Sequence, residues 1–119
     1  MQRLVVQLTC GIDEAEKVSQ AFTVAVAALS AGATVSLWLT GEATWLGVPG
    51  RAEEFELAGA ASLADLRDAI LSDGRLTVCT QCAGRRGLTG PDLVPGAVIS
   101  GAASFVEEAL VDGTQALVY

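Results

Sequence analysis

Two of the three cysteines of this 119-residue chain stand three positions apart, in the stretch Val78-Cys79-Thr80-Gln81-Cys82-Ala83-Gly84-Arg85-Arg86-Gly87. A thiol reacts as its thiolate, so the question is what would stabilise that charge. Cys79 ends a short apolar run, Leu76-Thr77-Val78, and the residues from Thr80 to Arg86 are expected to form a short helix closed by Gly87. A thiol at such a helix start faces free backbone N–H groups and the positive end of the helix dipole, which makes Cys79 the expected nucleophile near neutral pH. Arg85 and Arg86 lie six and seven positions further on. They reach the thiol only if the helix is short and its end folds back; otherwise their permanently charged, planar forks suit an anionic substrate or partner. The chain has no histidine, which excludes cysteine-histidine pairs and serine-histidine-aspartate triads. Activation is left to the backbone, to arginine, or to an acidic group acting through water.

The same spacing admits other chemistry. Cys79-x-x-Cys82 matches half of a zinc knuckle, but a structural zinc site takes four ligands, and here only Cys10 or a carboxylate could complete it. It also matches a thioredoxin-type dithiol, although the motif follows a late strand and no proline stands where that fold requires one. Without reactivity, Cys79 is a small hydrophobe at a strand end, Cys82 packs one turn into the helix, and Cys10 packs at the end of the first strand. If Cys10 shares an edge with Cys79, a relay or a disulfide between them is open. Neither familiar glycine-rich phosphate loop is present, and the sequence calls for no metal and no cofactor.

Strands and helices alternate around these residues. Leu4 to Leu8 reads as a buried strand leaving at Thr9-Cys10-Gly11. A helix follows, with Asp13 as its expected cap and Val18, Phe22, Ala25 and Leu29 at helical spacing, stopped by Gly32. Thr34 to Leu39 is a second strand, with Trp38 expected in the core. The stretch from Gly41 to Ala61 reads as the longest irregular segment, and its Trp45-Leu46 pair as an oligomer contact or a lid. Glu53, Glu54 and Glu56 are expected to form a solvated face. Ser62 with Asp65 makes a capping-box pattern for a helix through Leu71. After the cysteine turn, Pro91 and Pro95 mark a loop, Ala97-Val98-Ile99 a fourth strand, Gly101 to Val111 a helix, and Gln115 to Val118 a last strand.

Such alternation predicts an α/β domain: a parallel sheet joined by right-handed crossovers and covered on both faces. In such sheets, chemistry gathers outside the carboxyl ends of the strands. Four turns belong to that edge, Thr9-Cys10-Gly11, Thr40-Gly41-Glu42, Cys79-Thr80-Gln81 and Ser100-Gly101-Ala102. They bring Cys10, Gly11 and Ser100 into consideration beside Cys79.

The length suits a single domain over residues 1–119, with a core of its own. A formal net charge of −7 and a single basic pair, Arg85-Arg86, argue against nucleic acid as a partner. No apolar run is long enough to span a bilayer, and Met1-Gln2-Arg3 with Leu4-Val5-Val6 lacks the pattern of a secretory signal, so the expectation is no membrane and a cytoplasmic location with reduced thiols.

The order of elements, a cysteine ending the third strand, five residues, then Arg85-Arg86-Gly87 resembles the DsrE/TusD group of small sulfur-relay proteins. The likeness runs over nearly the whole chain and includes the Ile99-Ser100-Gly101 turn and the closing apolar strand. It implies a single three-layer α/β/α domain with a five-stranded parallel sheet, assembly into trimers or hexamers of this chain or with related subunits, and one cysteine that carries sulfane sulfur as a persulfide. By position that cysteine is Cys79, with sulfur donor and acceptor proteins or low-molecular-weight persulfides as partners. Arg85, Arg86, Cys10, Gly11 and Ser100 are the expected substrate or partner contacts. The sulfur-relay branch does not usually place a cysteine at the position of Cys82. If Cys82 faces Cys79, its thiolate can attack the inner sulfur of a Cys79 persulfide and release sulfide, making a thiol-disulfide or persulfide-reducing protein. If neither thiol is reactive, the chain is a non-catalytic oligomeric binding subunit.

Overall fold

Runs of β-branched and bulky apolar residues become strands here, and the amphipathic stretches between them become helices. The computed structural model describes residues 2–119; Met1, the start of the amino-terminal run discussed above, lies outside them. In chain order these residues form β1 (Arg3–Leu8), α1 (Ala15–Ser30), β2 (Thr34–Leu39), α2 (Arg51–Glu54), α3 (Leu63–Asp73), β3 (Arg75–Cys79), α4 (Thr80–Arg85), β4 (Val98–Ser100), α5 (Ala102–Ala109) and β5 (Thr114–Val118).

All five strands are parallel, in the order β4-β3-β2-β1-β5. From β1 through β4 the chain steps across the sheet in one direction, so right-handed connections place α1, α3 and α4 on one face. The return from β4 to β5 crosses the whole sheet the other way and places α5 on the opposite face. The expected three-layer α/β/α arrangement follows. It also creates a topological switch point: the connection after β3 leaves toward one face and the connection after β4 toward the other. A crevice opens there, outside the carboxyl ends of the strands, where parallel sheets bind ligands. Cys79 ends β3 and Ser100 ends β4, and the two are register partners.

The strand alternation sorts the core. Val6, Leu8, Leu37, Leu39 and Val78 point to the face carrying α1 and α3, where they meet Phe22, Leu63 and Ile70, all buried. Trp38 lies on the other face and is 1 % exposed, as its apolar strand predicts. Its indole N–H donates to Glu108 Oε1 at 3.2 Å, and its ring meets Phe105 edge-on at 5.4 Å, which fixes α5 to the sheet. α3 begins as its sequence implies, with Ser62 Oγ accepting from the Asp65 N–H at 3.3 Å.

Three expectations are corrected. Asp13 does not cap α1; it sits inside a 3₁₀ turn, Ile12–Glu14, and the helix begins after it without a side-chain cap. The Glu14 N–H bonds to the Gly11 carbonyl at 2.9 Å, so this turn supplies the entry that a cap would have supplied. The segment from Gly41 to Ala61 is not irregular throughout: Gly41–Gly47 winds as a 3₁₀ helix with Ala43, Thr44 and Leu46 buried, and α2 adds one turn. Two patterns are too short there for periodicity to show, and the glycines at 41, 47 and 50 conceal them. Glu53 is not simply a solvated carboxylate. It accepts from both terminal nitrogens of Arg67 at 2.9 and 2.8 Å, and Arg67, 5 % exposed, also pairs with Asp68 at 3.0 Å. This fork ties α2 to α3, because a guanidinium removed from water requires carboxylate partners.

Candidate functional site

The site grows from the end of β3. Cys79 occupies the residue before α4 with extended backbone (φ −64°, ψ 130°), and the chain turns directly into a helix of six residues. One turn in, Cys82 is buried at 8 % exposure while Cys79 is half-buried. Both are free thiols one helical turn apart, and the Cys79 thiol acts to lower the Cys82 thiol. Positions separated by one helical turn lie on one face, at a separation that a disulfide can also span.

The third participant is backbone. The Gly41 N–H donates to Cys82 Sγ at 3.2 Å. Gly41 is able to do so because it adopts φ +55°, and a Cβ there would stand 2.7 Å from the Thr9 carbonyl oxygen. The far end of the same 3₁₀ helix is seated on β3: a Cβ on Gly47 would stand 2.9 Å from Val78 Cγ2, beside Cys79 in sequence. Two glycines thus let the segment after β2 close on the turn after β1 at Thr9 and on β3 at Val78.

Arg86 completes the cluster. Because α4 is short, Arg86 folds back over it, donating from Nη1 to the Cys82 carbonyl at 3.1 Å and from Nε and Nη2 to Glu42 Oε2 at 3.2 and 2.7 Å. Its charge is engaged by Glu42 and is not open to an incoming anion. Arg85 is exposed and makes no ion pair among the described residues. The two arginines expected as equivalent contacts therefore divide into a strut and a free cation.

The surroundings of Cys82 act on its thiol in opposite directions. Burial pushes its thiol up, but the Gly41 N–H, the Cys79 thiol and the Arg85 and Arg86 guanidiniums together outweigh burial and hold it below the ordinary thiol value. The backbone donor that the sequence places at Cys79 is found on Cys82. The Glu42 carboxyl lies below its usual range, chiefly because Arg86 hydrogen-bonds it.

Ser100 lies beside Cys79 as its register partner in β4 and is half-buried. Gly101 follows at the start of α5, where a Cβ would stand 3.9 Å from Thr80 Oγ1, so both helices begin at the same crevice. Gly11 is buried against the Glu42 turn; a Cβ there would meet Glu42 Cβ at 3.0 Å. Cys10 does not join the thiol pair. It follows β1, and β2 lies between β1 and β3. Two strand spacings, about 9–10 Å, separate it from Cys79, beyond the reach of a disulfide within one chain. Burial pushes the Cys10 thiol up, Lys17 opposes this, and Glu14 and Asp13 add to it. Among the described residues, no three Cys, Asp or Glu converge as metal ligands.

Gly41 and Glu42 are the site residues that the sequence did not distinguish. They stood in one of the four edge turns, but a donor N–H and a surface glutamate carry no signature of their own.

Beside this cluster, Gly11, Glu42, Trp45, Leu46, Arg51 and Phe55 line part of a cleft of about 550 Å³. The Arg51 guanidinium lies over the Trp45 ring at 4.8 Å from its centroid.

Fold and site together define a class: a small three-layer α/β/α domain with a vicinal thiol pair at the switch point of a parallel sheet. The chain belongs to the DsrE/DsrF-like family, whose family model matches residues 2–115. Among solved structures, it is similar to the YchN protein of Escherichia coli, with 16 % identity, a TM-score of 0.83 and both chains covered completely. It is also similar to MTH1491, a protein of unknown function from Methanobacterium thermoautotrophicum, with 15 % identity, a TM-score of 0.69 and complete coverage of both chains. At these identities the likeness concerns the fold. No curated protein matches the chain.

Proposed function

We propose that this chain is a sulfur-relay protein that carries sulfane sulfur on Cys79, with Cys82 as the proton acceptor that activates it. The single observation behind the reading is a second free thiol one helical turn from Cys79, with Cys82 Sγ held by the Gly41 N–H at 3.2 Å. Membership in the DsrE/DsrF-like family, which is generally linked to sulfur relay, supports it.

With no histidine in the chain, Cys79 needs another proton acceptor, and Cys82, one helical turn away with the Gly41 N–H on its sulfur, takes that role. The Cys79 proton passes to Cys82 as Cys79 sulfur attacks the terminal sulfur of a donor persulfide. The S–S bond of the donor breaks, the donor leaves as its thiolate, and Cys79 becomes Cys–S–SH. An acceptor thiolate then attacks that outer sulfur: its new S–S bond forms as that of Cys79 breaks, so the acceptor becomes the persulfide and Cys79 leaves as a thiolate, which takes its proton back from Cys82. Sulfur moves at a constant sum of oxidation states, so no external oxidant or reductant enters. While Cys82 holds the proton it is a weak nucleophile, and the persulfide survives. Arg85 is the free cation that would meet an anionic donor or acceptor.

The same pair of thiols favours a second reading. If Cys82 loses its proton before transfer, its thiolate attacks the inner sulfur, giving a Cys79–Cys82 disulfide and hydrosulfide, and an external thiol must then reduce the disulfide. Exposed apolar residues on α5, just past its end and on β5 (Val106, Leu110 and Val118) support assembly into a homo-oligomer, and the free thiols suit a reducing, cytoplasmic setting.

Intact mass after brief exposure to a sulfane-sulfur donor tests the proposal. Wild type and Cys82→Ser should gain one sulfur, about 32 mass units, and Cys79→Ser none, with Cys82→Ser loading more slowly. Loading retained in Cys79→Ser would overturn it. Loss of two hydrogens with sulfide release in wild type, and trapped sulfur in Cys82→Ser, would establish the reductive reading.

A further inference from the structure

The cleft beside the thiol pair has walls of two kinds. Ile12, Trp45, Leu46 and Phe55 are apolar, and Ile12 is 66 % exposed although it lines a concavity. Asp13, Glu42, Glu54 and Glu56 contribute four carboxylates against the single guanidinium of Arg51. Glu42 is shared with Arg86, but Asp13, Glu54 and Glu56 are exposed and make no ion pair among the described residues. One cation already stacks on the indole face of Trp45, so an aromatic platform for guanidinium or ammonium groups is built into the wall.

We propose that this cleft seats a basic segment of a partner polypeptide, an arginine- or lysine-bearing stretch of the protein that exchanges sulfur with Cys79. Its stem would lie on Ile12 and Phe55, and its charge would meet Glu54, Glu56 and Asp13. Glu42 belongs both to the cleft and, through Arg86 at 2.7 Å, to the thiol cluster, so a segment seated there meets a side chain that braces that cluster. A second copy of this chain is a poor occupant. It carries 14 acidic against 7 basic residues, and two of those arginines, Arg67 and Arg86, are already paired. The partner's role in sulfur exchange rests on the thiol reading above; the preference of the cleft for a basic segment does not.

The test is a nuclear magnetic resonance titration of the whole protein with a blocked glycine-arginine-glycine-arginine-glycine peptide, and with the same peptide carrying citrulline in place of arginine. The Trp45 indole N–H and backbone signals from residues 41–55 should move while the Trp38 indole stays in place, and the citrulline peptide should bind more weakly. Changing Glu54→Gln and Glu56→Gln together should weaken arginine-peptide binding roughly fivefold, and added salt should weaken it further. An unmoved Trp45 signal, equal binding of the citrulline peptide, or full affinity in the double variant would overturn the proposal. Equal occupancy by spermidine would replace the polypeptide by a small polyamine and overturn it as well. Sulfur loading of Cys79 from a small donor does not need the cleft, so lost peptide binding with intact loading removes this inference alone. Lost loading with intact peptide binding removes the sulfur role and leaves the site for a basic segment.

Discussion

Replacing Gly41 by alanine strikes the contact on which the thiol pair depends, and its cost is calculable from two features. The residue sits at φ +55°, where an L side chain costs roughly 1–2 kcal/mol. Its new Cβ would also stand 2.7 Å from the Thr9 carbonyl oxygen, backbone that cannot rotate away, so the turn must retreat at a cost of about 1–3 kcal/mol. Together Gly41→Ala should cost about 2–5 kcal/mol in urea unfolding. The retreat carries the Gly41 N–H off Cys82 Sγ, which it now meets at 3.2 Å. The sign is fixed: losing a donor to the thiolate raises the Cys82 pKa. The assay is the Cβ chemical shift of isotopically labelled cysteine followed against pH, which resolves each thiol. Gly50→Ala is the control in the same segment. It has φ +88° and nothing within 4 Å of the added atom, so it should cost about 1–2 kcal/mol and leave the Cys82 titration in place. If Gly41→Ala matches Gly50→Ala in both stability and titration, the role assigned to this backbone donor is wrong.

Two further outcomes follow from the packing. Pairing with Arg67 lowers the Glu53 carboxyl from 4.5 to about 2, so its stabilising contribution is complete above about 4.5 and is lost as pH falls toward 2. Glu42 and Asp92, also lowered, act in the same direction. Urea midpoints should fall across that window and fall less in Glu53→Gln; parallel curves would refute this. If α5 and β5 form a subunit contact, light scattering should give a multiple of the chain mass, and Leu110→Glu, at a side chain 76 % exposed, should yield folded monomer. A monomeric wild type would refute the assembly.

Some of this molecule is legible in the amino-acid order. The strands at Leu4 to Leu8 and Thr34 to Leu39 announce themselves by apolar content, and α3 by its Ser62 cap, because these signals are local. The cysteine turn is equally legible: a strand, a thiol and a short helix are contiguous, so Cys79 and Cys82 lie within one turn of each other wherever the segment ends up. What the order of residues could not supply is the backbone donor on Cys82. That donor is Gly41, about 40 positions away, whose N–H reaches Cys82 because β2 packs beside β3 and Gly47 lets the segment after β2 close on Val78. The separation of Cys10 from Cys79 is likewise a matter of strand order: two turns on the same edge look equivalent along the chain until β2 is found between them. The pairing of Arg86 with Glu42 has the same origin. Hydrophobic periodicity fixes which elements form, because it is written in neighbouring residues; donors, ion pairs and distances across a sheet edge are set by where those elements pack.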